Sequence, residues 1–141
     1  RKYLSRISGP LLDRIDIHIE VTPVSFSHLM NGHVPENSGS IRARVIGARE
    51  IQKERFKNRK GTYCNAQMSM RMLQASCKLP EEGKTLLKTA MEKLHLSARA
   101  YDRILKVSRT IADLAESPSI KTEHLAEAIQ YRSLDRENWA G

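Results

Sequence analysis

The stretch SARAYDRILKVSRTIADLAE, residues 97–116, decides the reading of this chain. Ser97 is a residue type whose side-chain oxygen caps helix N-termini. After it Tyr101, Ile104, Leu105, Ser108, Ile111, Ala112 and Ala115 recur at the spacing of one buried helix face. The spacing predicts a long helix to about Glu116. An advance of about 100° per residue also lines up Arg99, Arg103 and Lys106 in a basic stripe opposite that face. Such a stripe cannot join a core, so it faces either water, its usual neighbour, or another domain.

Working outward, the same logic yields further helices. Thr122 caps a last one carrying Leu125, Ala128 and Ile129 and ending near Arg132. Upstream, Pro80 suits the first turn of a helix that uses Leu86, Leu87, Ala90, Met91 and Leu94. Residues 65–78 hold a shorter helical pattern with Met68, Met72, Leu73 and Ala75. Ser40 caps a helix to about Asn58, with Ile41, Val45, Ala48, Ile51 and Phe56 near one face. Residues 40–141 are therefore expected to form a compact bundle of four or five helices.

Before them, residues 15–21 alternate Ile15, Ile17, Ile19 and Val21 with Asp16, His18 and Glu20, the period-2 pattern of a strand with one face buried. One strand cannot satisfy its own backbone groups, so its partners are expected upstream of Arg1 and residues 1–24 are expected to be loosely held. Pro, Gly, Asn and Ser crowd residues 25–39, a connecting loop. The fold class is thus mainly α, a helical bundle preceded by one residual strand.

With 141 residues the chain has single-domain size and can bury a real core. No apolar run approaches the roughly 18 residues that cross a bilayer, and no secretory signal opens the chain, so a soluble intracellular protein is expected. The net charge of +8 suits nucleotides, nucleic acid or acidic protein surfaces without choosing among them. Cys64 and Cys77 are too few for a zinc site, and the five histidines lack ligand spacing, so no metal is assigned.

Gly83-Lys84-Thr85 imitates the end of a phosphate loop, but the glycine required five residues before the Gly-Lys pair is Lys78, and Gly83 is expected in an early helical turn. Arg14 follows a Gly-Pro turn and lies between Asp13 and Asp16. Its fork either reaches a phosphate of a neighbouring subunit or forms a surface ion pair with those carboxylates. Residues 41–61 carry eight basic residues against Glu50 and Glu54, a net +6, and suit a nucleic-acid backbone, an acidic neighbour, or water.

Taken together, Ser8-Gly9-Pro10-Leu11-Leu12-Asp13-Arg14-Ile15-Asp16, Arg42-Ala43-Arg44-Val45 with Ala48-Arg49 and Gln52, Leu96-Ser97-Ala98-Arg99-Ala100-Tyr101, Arg109-Thr110-Ile111-Ala112-Asp113-Leu114, and His124-Leu125-Ala126-Glu127-Ala128-Ile129-Gln130-Tyr131-Arg132 closely resemble the C-terminal part of the ComM (YifB) family, bacterial magnesium-chelatase-like AAA+ ATPases. The resemblance covers nearly the whole chain. It implies that residues 1–24 end the ATPase core and that 40–141 are its helical lid. Arg14 then matches the arginine finger, acting in trans, and Arg99 the sensor 2 residue that faces the ATP γ-phosphate. Arg103 and Arg109 receive no role from it, and Ser108 stands where the family usually has alanine.

The Walker A and B segments and the Lon-protease-like domain of the family are not in this sequence. ATP and Mg are expected in the full-length parent, and no cofactor in the isolated chain, which is not expected to be catalytic alone. The implied partners are neighbouring subunits of a homo-oligomeric, hexameric ring, ATP and DNA, with no membrane, in the bacterial cytoplasm. The implied task is DNA remodelling, such as branch migration in natural transformation. Two alternatives stand beside it: a basic helical nucleic-acid-binding module without an ATPase role, and a magnesium-chelatase subunit for tetrapyrrole metal insertion.

Overall fold

The computed structural model describes residues 11, 14–21, 23 and 36–132. Among them lie α1 Ser38–Phe56, a 3₁₀ turn Asn65–Gln67, α2 Met70–Ser76, α3 Glu81–Lys93, α4 Ala98–Leu114 and α5 Thr122–Gln130. The chain is mainly helical, as its periodicity predicts.

α4 is the central element. Ser97 caps it, its hydroxyl accepting from the Ala100 N–H at 3.2 Å. Ala100, Ile104, Leu105, Ser108 and Ala112 are buried in the core with Leu87, Leu96, Leu125 and Ala128. Burying one such aliphatic side chain stabilises the fold by about 1.5–3 kcal/mol. Two residues counted on the apolar face sit at its edges instead: Tyr101 is 39% exposed and Ala115 is exposed. Buried Ser108 satisfies its hydroxyl by donating to the Ile104 carbonyl at 2.7 Å.

α3 and α4 end alike. The residue after each C-cap, His95 or Glu116, takes a left-handed conformation with φ of 49° or 52°. The next N–H then reaches back, Leu96 to the Met91 carbonyl at 3.1 Å and Ser117 to the Ala112 carbonyl at 2.8 Å. These are Schellman closures, which satisfy the orphan carbonyls of a helix end.

Helix starts depart from expectation by one to three residues. Asn37 rather than Ser40 caps α1, its Oδ1 accepting from the Ser40 N–H at 2.9 Å. Pro80 stands just before α3, and at α5 the Lys121 N–H donates to Nδ1 of His124 at 3.1 Å, so Thr122 opens the helix. The pattern over 65–78 splits where Met68 is extended and Ser69 caps α2 afresh. Gly83 lies in the first turns of α3 and is buried; a Cβ there would sit 3.3 Å from the Pro80 ring and 3.5 Å from Leu125, so glycine lets α3 approach α5 closely.

The residual strand is not found among the described residues. Ile15, Ile17, Ile19 and Val21 are 40%, 46%, 68% and 88% exposed, while His18 is buried. Among the described residues no neighbouring strand covers the apolar side, and polar groups dock the segment instead. The His18 N–H donates to the Tyr131 carbonyl at 2.8 Å, the Ile15 carbonyl accepts from Arg132, and Asp16 accepts from Arg103.

Candidate functional site

The docked segment and the outer face of α4 enclose an open cleft of about 580 Å³. Arg99, Arg103 and Lys106 line it from α4, Asp16 and Ile17 from the segment, and Tyr131 closes it beyond α5. The basic stripe therefore faces a concavity, the shape in which cationic side chains concentrate their field.

Each cation is held differently. Arg99 is exposed in the first turn of α4, which carries no acidic residue, so its charge adds to the positive end of the helix dipole. Arg103, one turn on, is engaged by Asp16. Lys106 donates to the Ala66 carbonyl at 2.9 Å and thereby ties the 3₁₀ turn to the cleft wall. Asp102 and Glu127 also line the cleft, and the Glu127 carboxylate accepts from the Tyr131 hydroxyl at 3.0 Å, which pushes the phenol pKa up.

Arg14 is exposed in a turn closed by its own N–H donating to the Leu11 carbonyl at 3.0 Å, and it does not line the cleft. Asp16, one of the two carboxylates flanking Arg14, is engaged by Arg103 across the fold; Asp13, the other, lies outside the described residues. Among the described residues Arg14 makes no ion pair. The structure thus brings Arg99, Arg103 and Lys106 together and leaves Arg14 on a separate exposed turn.

Behind the cleft lies a charged cluster that sequence reasoning missed. Asp113 is fully buried and Arg109 is 3% exposed. The Asp113 carboxylate accepts from Arg55 at 2.7 Å, from Arg109 Nε at 3.1 Å and from the Asn65 amide at 2.8 Å. Arg109 also donates to the Pro118 and Ser117 carbonyls at 3.1 and 2.6 Å. Such a carboxylate repays its desolvation only because every oxygen is engaged. Four segments, α1, the 3₁₀ turn, α4 and the 117–118 loop, meet on it. The Arg109–Asp113 spacing of four was visible in the sequence; the partner from α1, 58 residues away, was not.

Residues 35–132 match the family described as magnesium chelatase, subunit ChlI C-terminal, and residues 1–29 match magnesium chelatase, subunit ChlI. The chain belongs to the ComM/YifB magnesium-chelatase-like family. It is 45% identical over 136 residues to competence protein ComM of Haemophilus influenzae, covering 96% of this chain and 26% of that protein. YifB of Escherichia coli is 40% identical over 136 residues, with the same two coverages. A Mycobacterium bovis relative is 32% identical over 132 residues, 94% of this chain and 26% of its own length. The chain thus spans about a quarter of the length of these relatives.

The Arg14 turn lies in the stretch that matches subunit ChlI, and the Asp113 cluster in the stretch that matches its C-terminal family. No helix among the described residues is long and apolar enough to cross a membrane.

Proposed function

We propose that this chain is the lid part of an AAA+ ATPase, with Arg99 acting as the sensor 2 residue toward the nucleotide γ-phosphate and Arg14 as an arginine finger toward a neighbouring subunit. The single observation that carries the reading is the cleft on α4. It presents Arg99 exposed at a helix start free of first-turn carboxylates, with Arg103 and Lys106 behind it, a donor set that suits a polyphosphate. Its volume of about 580 Å³ falls in the range of small-molecule sites.

The supporting observation for Arg14 is the placement of its segment. Contacts from Arg103, Arg132 and Tyr131 hold residues 15–18 against the lid, while the guanidinium of Arg14 stays at an exposed turn. An arginine held by its backbone and exposed at its tip is suited to reach a phosphate on another copy. In this reading ATP with Mg supplies the phosphoryl group, in a homo-oligomeric, hexameric ring in the bacterial cytoplasm. The work proposed is DNA remodelling; the Haemophilus influenzae relative is named a competence protein.

The test is made in the full-length parent. Arg14→Ala should leave ATP binding nearly intact and lower turnover about tenfold or more, because only the charge that develops in the transition state loses its partner. Arg99→Ala should lower turnover and weaken nucleotide binding together. Unchanged turnover in both variants refutes the reading.

A further inference from the structure

A second basic surface shares no lining residue with the cleft. Arg49, Lys53 and Lys57 recur every fourth residue on α1 and past its C-terminus, which spaces the cations about 6 Å apart along the axis. The turn that follows adds Arg59 and Lys60, and Gly61 closes it with a φ of 79° that favours glycine. Tyr63 comes next and is 74% exposed. These six side chains line an open hollow of about 780 Å³.

The charge is not spent on the fold. Lys53 pairs with Glu50 at 3.3 Å and Lys57 pairs with Glu54, both between exposed neighbours on the surface. Such pairs are worth less than about 1 kcal/mol and yield to a stronger anion. Among the described residues Arg49, Arg59 and Lys60 form no ion pair. α1 is anchored through buried Ala48 and Gln52, through Phe56, which is buried at the wall of the hollow, and through Arg55 on Asp113. The cationic row is therefore displayed on a rigid support.

We propose that this hollow binds the phosphate backbone of single-stranded nucleic acid, with Tyr63 stacking on a base. A row of cations that tracks successive phosphates beside an exposed aromatic ring is the chemistry by which unpaired strands are held without sequence preference. A duplex keeps its bases stacked and offers the ring nothing. The proposal does not rest on the nucleotide reading, since binding is measured without ATP.

The experiment is fluorescence anisotropy of a labelled oligothymidylate titrated with the full chain across a salt series. Expected are micromolar binding at low salt and a log–log salt slope of about −3.5 for five neutralised phosphates. Arg59→Gln with Lys60→Gln should reduce that slope by about 1.4. Tyr63→Ala should weaken single-strand binding about tenfold and leave duplex binding unchanged. Arg42→Gln with Arg44→Gln, the same charge removed from the other end of α1, should leave the affinity nearly unchanged.

Three results overturn the proposal: no binding at low salt, an equal loss in both double variants, or displacement of the strand by polyglutamate at equal charge concentration, which assigns the surface to an acidic protein. If oligothymidylate binds as expected while Arg14→Ala and Arg99→Ala both leave turnover intact, this site stands and the arginine-finger and sensor 2 assignments fall. The reverse pair of results removes this site alone.

Discussion

The guanidinium of Arg103 donates to the carboxylate of Asp16, a residue 87 positions earlier in the chain. The contact joins the outer face of the central helix to the turn that carries Arg14. Arg99 and Arg103 are one helical turn apart, so the side chain proposed to sense nucleotide lies one turn from the contact that holds the segment following Arg14. A tilt of α4 would move both.

The first prediction concerns that contact. The pair is only partly buried, with side-chain exposures of 31% and 50%, so Arg103→Gln should cost global stability no more than about 1 kcal/mol. Its effect should be local. Hydrogen exchange at the His18 amide, which is bonded to Tyr131, should quicken by roughly fivefold for a loss of about 1 kcal/mol, while α4 amides keep their protection. Equal exchange in both proteins would show that the ion pair does not hold the segment.

Asp113 should behave in the opposite way. Asp113→Ala leaves the Arg55 and Arg109 guanidiniums facing a space without a carboxylate, and breaking a buried pair costs about 3–5 kcal/mol. Urea unfolding followed by circular dichroism should show the midpoint collapsing. A loss below about 1 kcal/mol would mean that the cluster contributes little to stability.

Glu116 offers a gain. A side chain in the left-handed region costs about 1–2 kcal/mol, and glycine removes that strain while adding freedom to the unfolded chain. Glu116→Gly should therefore stabilise by about 0.5–1 kcal/mol and raise the melting temperature by a few degrees. A lower melting temperature would count against the strain argument.

Cys77 supplies the pH prediction. Burial pushes its thiol from 9.0 up to about 11, against the opposing pull of the Arg109 and Arg55 charges. Because the folded value lies above the unfolded one, the unfolded state releases its proton first, and the advantage of the neutral buried thiol is lost as pH rises from about 9 toward 11. The stability difference between the chain and Cys77→Ala should accordingly shrink over that window in parallel urea titrations. A constant difference would contradict it. Cys64, half-buried, should react with thiol reagents before Cys77 does.

Much of the bundle was legible because helix periodicity is a local property. Ser97 followed by apolar residues at helical spacing is enough to place α4, and Lys78 in place of the required glycine is enough to dismiss the phosphate-loop imitation. The alternation over 15–21 misled for a physical reason: it encodes which side chains share a face, and the burial of that face depends on a partner strand. Here His18 is buried while Ile17 and Ile19 line the open cleft and stay exposed, because backbone groups and Asp16 make the contacts.

By itself the sequence determined the helices, the basic stripe of Arg99, Arg103 and Lys106, and the family, since each depends on residue type and spacing along one chain. Only the tertiary structure decided that the stripe lines a cleft, that Asp16 is engaged by Arg103, and that Asp113 gathers Arg55, Arg109 and Asn65 into one buried cluster. Charges attract at a few ångströms, and which charges come that close depends on how helices distant in sequence pack, a relation that no local pattern contains.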